Sequence, residues 1–207
     1  MKKMILTLAV ALMTFGTYAQ NKIQLPAPNK TGGMPLMEAL NKRITDRGPF
    51  NGQALTSQQM SNLLWAAWGI TREDGRRTAP SASNAQEIDL YIFTAEGAYR
   101  YDATENALYP VKSGDFRKEV VTRDFGNTSV DIFFVADLDK RRGDEEQKRL
   151  MSAIDAGYIS QNIYLYCTSE GLGTVVYTGS LNRDKVAEHL GLGANHFVVG
   201  GQSVGMK

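Results

Sequence analysis

Hydrophobic spacing along the chain switches between helical and strand periods, and each switch marks an element. Leu36, Met37 and Leu40 share one helical face, so a first helix is predicted over residues 34–43, with Pro35 tolerated in its first turn. Met60, Leu63, Leu64, Ala67 and Trp68 predict a second helix, opened by Thr56 with Gln59 as a capping box and closed by Gly69. Trp65 and Trp68 read as core packing. The period then falls to two. Residues 88–94 and 98–102 predict a hairpin turned at Ala95-Glu96-Gly97, and 107–111 a short third strand. Residues 115–122 read as a short helix, and the apolar run 130–136 as a buried strand. The charge run 140–148 predicts a solvated helix start with no partner. Residues 150–170 form the longest helical pattern, apolar nearly all round and so expected to be buried on several sides. Its small-residue strip, Ala153, Ala156, Gly157 and Ser160, would let another helix or subunit approach closely. Asn182 is placed to cap a helix running to Leu190, and 197–201 reads as a strand.

Two stretches carry candidate chemistry. In residues 77–86, Pro80 stops a helix and pushes Ala79 towards an extended backbone. Ser81, Ser83 and Asn84 have short side chains that bond nearby backbone. Small residues here would present several N–H groups, two hydroxyls and an amide to one space, which suits a flat polar ring or a phosphate. A polar connection loop with no ligand is the competing reading. Upstream, alternation puts Arg43, Thr45 and Arg47 on one side of an extended segment. Two guanidiniums and a hydroxyl make a phosphate clamp, against the alternative of a solvated basic turn.

These two stretches also carry a resemblance. Pro80-Ser81-Ala82-Ser83-Asn84-Ala85-Gln86 resembles the Pro-Ser-Ser/Ala-x-Asn-x-Gln loop of the FMN-dependent nitroreductase family. Arg43-Ile44-Thr45-Asp46-Arg47 resembles that family's Arg-x-Ser-x-Arg/Lys motif, and the chain looks most similar to the branch of thiazoline-oxidase-like flavin dehydrogenases. The resemblance implies an α+β fold, a three-layer α-β-α sandwich around a mainly antiparallel sheet. It also implies a homodimer with flavin sites between subunits, and FMN as cofactor. In it Arg43 and Thr45 would meet the phosphate, Arg47 the phosphate or ribityl oxygens, and Pro80, Ser81, Ala82, Ser83 and Asn84 would also bind the cofactor. Thr178-Gly179 stands where many relatives carry Glu-Gly and a backbone N–H faces the flavin. Lys207 stands in for the C-terminal Lys-x-Arg of longer relatives. The implied activity is flavin-mediated hydride and electron transfer, with small-molecule donor and acceptor binding in turn (ping-pong). The alternatives are a flavin-binding protein without turnover, or a cofactor-free interaction module that kept the fold.

Composition adds compartment and exclusions. Met1-Lys2-Lys3 is basic, residues 4–14 are nearly all apolar, and Thr17 and Ala19 give the small-residue spacing of a cleavage site. That is the pattern of a signal peptide over 1–19, too short to span a bilayer. Residues 20–33 then read as an extended arm and 34–207 as one domain, exported and periplasmic, with no stable membrane insertion after cleavage. A formal net charge of +1 lacks the basic footprint of a nucleic-acid binder. The single cysteine, Cys167, has no partner for an intramolecular disulfide and reads as a buried thiol. His189 and His196 read as surface or packing residues, and no metal ligand set is expected. No Ser-His-Asp, HExxH, P-loop or Rossmann fingerprint is present.

Overall fold

The computed structural model describes residues 22–207; the predicted signal peptide and the start of the arm lie outside the described residues. The strands are β1 Ile23–Gln24, β2 Phe50–Asn51, β3 Ile88–Phe93, β4 Gly97–Asp102, β5 Ala107–Ser113, β6 Gly126–Asn127, β7 Val130–Asp137, β8 Gly173–Tyr177 and β9 His196–Gly205. The helices are α1 Leu36–Lys42, α2 Ser57–Trp68, α3 Arg117–Val120, α4 Glu145–Glu170 and α5 Arg183–Leu190. Seven strands form one sheet in the order β1-β5-β4-β3-β7-β9-β8, and every neighbouring pair is antiparallel. β2 and β6 make a separate parallel pair.

Strand alternation sorts the core into two layers. Leu90, Ile92, Ile132 and Phe134 face α2 and α4, where they meet Leu63, Leu64, Ile159 and Ile163. Tyr91, Phe93, Phe133 and Val135 face the other side and pack with Val120 of α3 and Val186 and Leu190 of α5. The result is helices on both faces of an antiparallel sheet, the expected α+β sandwich. Each large apolar side chain withdrawn in this way contributes roughly 1.5–3 kcal/mol.

Local rules account for the element ends. Thr56 Oγ1 accepts from Gln59 N–H, while Gln59 Oε1 accepts from Thr56 N–H at 2.9 Å, so the capping box forms. Asn182 Oδ1 accepts from Lys185 N–H at 3.1 Å at the start of α5. Gly171 closes α4 in the left-handed conformation, φ 70°.

Three expectations need correction, and the structure adds which way α1 faces. The arm is no loose tether: Ile23 and Gln24 pair with Leu108 and Ala107 of β5, and Leu25 is buried in the core. α1 turns its apolar residues outward, with Leu36, Met37 and Leu40 all exposed and Ala39 the buried one. α4 is buried on several sides only in part, because Leu150, Ile154 and Tyr158 are exposed. The charge run 140–148 is not wholly solvated and partnerless: the Arg141 side chain is 6% exposed and pairs with Glu87 and Asp155. A guanidinium flanked by charges looks solvated in sequence, because its acids come from distant elements.

Candidate cofactor site

After α1 the chain runs extended beside β8, held by Asp46 N–H donating to Thr174 C=O at 2.9 Å. Phe50 then sits flat against the sheet. A Cβ on Gly205 would lie 2.6 Å from Phe50 Cγ, and one on Gly173 2.5 Å from Phe50 Cε1. Glycine at those two places is what lets the segment lie this close. Asp46 faces the sheet, and Arg43 and Thr45 converge on Tyr164 of α4. The Arg43 guanidinium lies over the Tyr164 ring, 5.2 Å from its centroid. Thr45 Oγ1 is 3.2 Å from Tyr164 Oη, which also accepts from Val176 N–H at 3.1 Å. One phenol therefore ties the Arg43–Arg47 segment to β8, two residues before the exposed Thr178-Gly179 pair. Arg47 is exposed, and neither it nor Arg43 has a carboxylate partner among the described residues. Lys207 differs: its Nζ is 2.6 Å from Asp46 Oδ2, so the last residue lies on this segment with its charge already paired.

The second stretch is a tight loop. Ser83, Asn84 and Gln86 have φ of 57°, 53° and 48°, the left-handed region that L-residues with a Cβ seldom adopt. Most of the loop's donors point inward, which corrects the expectation that they face a ligand. Asn84 and Ala85 N–H bond to Ser81 and Ala82 C=O, and Gln86 N–H donates to Ser81 Oγ at 3.0 Å. Ala82 N–H donates to the Asp155 carboxylate at 3.0 Å. Pro80, Ser83 and Asn84 remain exposed, so the outward chemistry is the Ser83 hydroxyl and the Asn84 amide, whose oxygen already accepts from Gln86 Nε2 at 3.1 Å.

Asp155 belongs to a buried charged cluster. Arg141 donates through Nε to Glu87 Oε1 at 2.8 Å and through Nη2 to Asp155 Oδ2 at 2.5 Å. Burial first, and then the Glu87 charge, push the Asp155 carboxyl above its ordinary range, against the pull of Ala82 N–H and Arg141. Cys167 is also buried, and its surroundings push the thiol up, as fits an inert packing residue.

The two stretches meet opposite parts of one helix. Tyr164 and Asp155 are nine residues apart on α4, roughly 13–14 Å at 1.5 Å per residue. Within one chain Tyr164 links Arg43 and Thr45 to Val176, two residues before Thr178-Gly179, while the Pro80–Asn84 loop is tied to Asp155 instead. The donor set fits FMN at the phosphate end: two unpaired guanidiniums and a hydroxyl match a dianion, and the loop offers a rigid polar edge to a ring. Tyr164, Asp155 and Arg141 were not foreseen. Tyr164 gives no sign in helical spacing, since a core tyrosine and a bridging tyrosine occupy the same positions. A cleft of about 560 Å³ lies between the arm, α2 and α4, around Lys30, Asn62, Trp65, Asn162 and Tyr166, and contains none of the predicted residues. Among the described residues no cluster of His, Cys, Asp or Glu could hold a metal ion, and no helix is long and apolar enough to cross a membrane.

Comparison with known proteins places this geometry. A solved structure from Ralstonia eutropha JMP134, provisionally described as a nitroreductase, is 37% identical, with a TM-score of 0.83 over 99% of this chain and 95% of its own. A protein of Methanocaldococcus jannaschii, provisionally named a nitroreductase, is 27% identical over 168 residues, covering 74% of this chain and 82% of the relative. The NADPH:FMN oxidoreductase of Vibrio harveyi, solved with NAD+, shares the fold at 21% identity and a TM-score of 0.61, over 83% of this chain and 68% of its own. The profile of the nitroreductase family matches residues 40–206, a span that holds the Arg43–Arg47 segment, the Pro80–Gln86 loop, Tyr164 and Thr178-Gly179. The chain belongs to the nitroreductase family.

Proposed function

We propose that this protein is an exported, FMN-dependent oxidoreductase of the nitroreductase type that works as a homodimer. The observation that carries the reading is the convergence of Arg43 and Thr45 on Tyr164, beside an equally unpaired Arg47. A cofactor-free descendant would have no physical need for two unpaired guanidiniums beside a hydroxyl on a segment pinned this firmly to the sheet. When bound, FMN supplies the hydride and electron chemistry. The chain's own residues bind and orient it. Arg43, Thr45 and Arg47 would neutralise the phosphate. Tyr164 holds the Val176 backbone in place and with it the approach to Thr178-Gly179. Ser83 and Asn84 would contact the ring from a loop that does not need to reorganise.

The homodimer is supported by apolar surface. Leu36, Met37, Leu40 and Ile44 are 62%, 76%, 45% and 59% exposed, and Ile154 and Tyr158 of α4 are exposed as well. Large apolar side chains left exposed on two adjacent helices are an interface feature. A second copy would bring its own Pro80–Asn84 loop, the half of the site tied to Asp155 instead of Tyr164. Export is read from the first 19 residues. Outside the cytoplasm NAD(P)H is scarce, so we read electron flow as running from substrate through the protein to an acceptor.

Visible absorption of the purified mature protein, followed by FMN titration, tests the reading. A yellow protein with about one tightly bound FMN per chain supports it. A protein that stays colourless and takes up no added FMN overturns it. Rapid anaerobic bleaching by NAD(P)H, with fast reoxidation by a nitroaromatic, would overturn the direction of electron flow alone.

A further inference from the structure

Glu87, Arg141 and Asp155 reach one another from three places: the end of the Pro80–Gln86 loop, the turn after β7, and the middle of α4. Their side chains are 0%, 6% and 2% exposed. Withdrawing such charges from water costs several kcal/mol per ion, and apolar residues of similar volume pack helix to sheet at least as well. What an ion cluster adds is direction. Asp155 Oδ2 accepts from both Arg141 Nη2 and Ala82 N–H, at 2.5 and 3.0 Å, and Oδ1 lies 3.2 Å from the same amide, so the guanidinium fixes the carboxylate against one particular backbone amide.

That amide sits immediately before the strained residues. Ser83, Asn84 and Gln86 are all left-handed, and each such residue stores on the order of 1–3 kcal/mol. Ser81 Oγ pins the C-terminal side of the loop through Gln86 N–H. Asp155 pins the N-terminal side. The Arg77 guanidinium adds a brace from outside by donating to Gln86 Oε1 at 2.7 Å.

We propose that Asp155, aimed by Arg141 and its counter-acid Glu87, is a positioning residue for the ring-contacting loop. It holds Ser83 and Asn84 in their outward, left-handed arrangement before any cofactor arrives. The proposal rests on the flavin reading given above and deepens it, since none of the three side chains would touch the cofactor. Glu87 contributes through one oxygen; its Oε2 is buried without a hydrogen-bond partner. The three residues should therefore be graded: Asp155 first, Arg141 next, Glu87 least.

The test compares the mature wild-type protein with Asp155→Ala, Asp155→Asn, Arg141→Lys and Glu87→Gln. Two readouts are taken: FMN affinity by flavin fluorescence, and hydrogen exchange at the Ala82 amide without FMN. Asp155→Ala is expected to speed exchange at Ala82 and weaken FMN binding by about tenfold or more, as for a lost charged hydrogen bond. Asp155→Asn keeps an oxygen for Ala82 N–H and should recover part of both losses. Glu87→Gln keeps the acceptor for Arg141 and should lose least. Unchanged exchange at Ala82 in Asp155→Ala overturns the proposal. So does an FMN affinity within about twofold of wild type. Losses that simply follow melting temperature across all four variants, with no partial recovery in Asp155→Asn, also overturn it. If Asp155→Ala does not fold, Asp155→Asn and Arg141→Lys carry the same two readouts. A wild-type protein that binds no FMN defeats the flavin reading, and exchange at Ala82 then decides alone whether the cluster fixes the loop.

Discussion

The Arg43–Arg47 segment and the Pro80–Gln86 loop are held in opposite ways. The first is an extended run with exposed side chains, tied down by one tyrosine, one backbone bond and a phenylalanine lying on two glycines. The second is a strained turn locked by a buried set of ions. The difference follows from what each would hold. A phosphate is nearly spherical and strongly charged, so mobile guanidiniums find it from many directions. A flat ring is read by the direction of individual hydrogen bonds, and direction needs a fixed backbone.

The sharpest way to break that contrast is to remove charge from the first region. The double variant Arg43→Ala, Arg47→Ala should lower FMN affinity by about a hundredfold or more, the loss of two charge-assisted contacts, while thermal melting stays close to wild type. A large fall in melting temperature instead would mean that these arginines hold the fold.

A third buried acid shows what burial costs when no guanidinium is bonded to it. Asp131 is 1% exposed and accepts from Ser203 and Thr128 hydroxyls; burial pushes its carboxyl up to about 6. A raised folded-state value means that the native protein holds this proton more tightly than the unfolded chain. Its stabilising contribution is complete below about pH 4 and is lost as pH rises to about 6, on the order of 2–3 kcal/mol. Asp155 shifts in the same direction, so the wild-type slope has more than one source. The informative quantity is the difference between wild type and Asp131→Asn, measured by melting between pH 4 and 7. That difference should change across the interval and flatten above it.

Tyr164→Phe removes the phenol that joins the two strips of the first region. About tenfold weaker FMN binding is expected, with roughly 1 kcal/mol of stability lost. An unchanged affinity would show that Phe50 and the glycines alone hold the segment. Lys207→Ala should have the smallest effect. Lys207 itself is 63% exposed, so its pair with Asp46 is worth about 1 kcal/mol, and a change in FMN affinity beyond about twofold would give Lys207 a direct role at the phosphate.

Local rules made much of the fold legible in the sequence. The Thr56 capping box, the Asn182 cap, the hairpin at Gly97 and the buried run around Phe133 all follow from nearby residues. The Arg43–Arg47 segment and the Pro80–Gln86 loop stood out through their motifs, and their roles at phosphate and ring are the reading proposed above. Tyr164 and Asp155 were not, because each acts on a partner more than seventy residues away. Arg141 was misread for the same reason, since its neighbours in sequence are charged while its neighbours in space are two acids and an amide. The outward face of α1 was hidden too: helical spacing shows which residues share a face and says nothing about what lies opposite.

The position of the last residues bears on how the protein is handled. Asn51 bonds to the carbonyls of Met206 and Lys207, and Lys207 reaches Asp46, so a peptide fused after Lys207 emerges directly beside Arg43, Thr45 and Arg47. The residues near Lys22 sit at the far edge of the sheet, against β5. A purification tag rich in histidine or acid at the C-terminus would compete for the arginines and could imitate an inactive protein. The same tag placed ahead of Lys22 leaves them free.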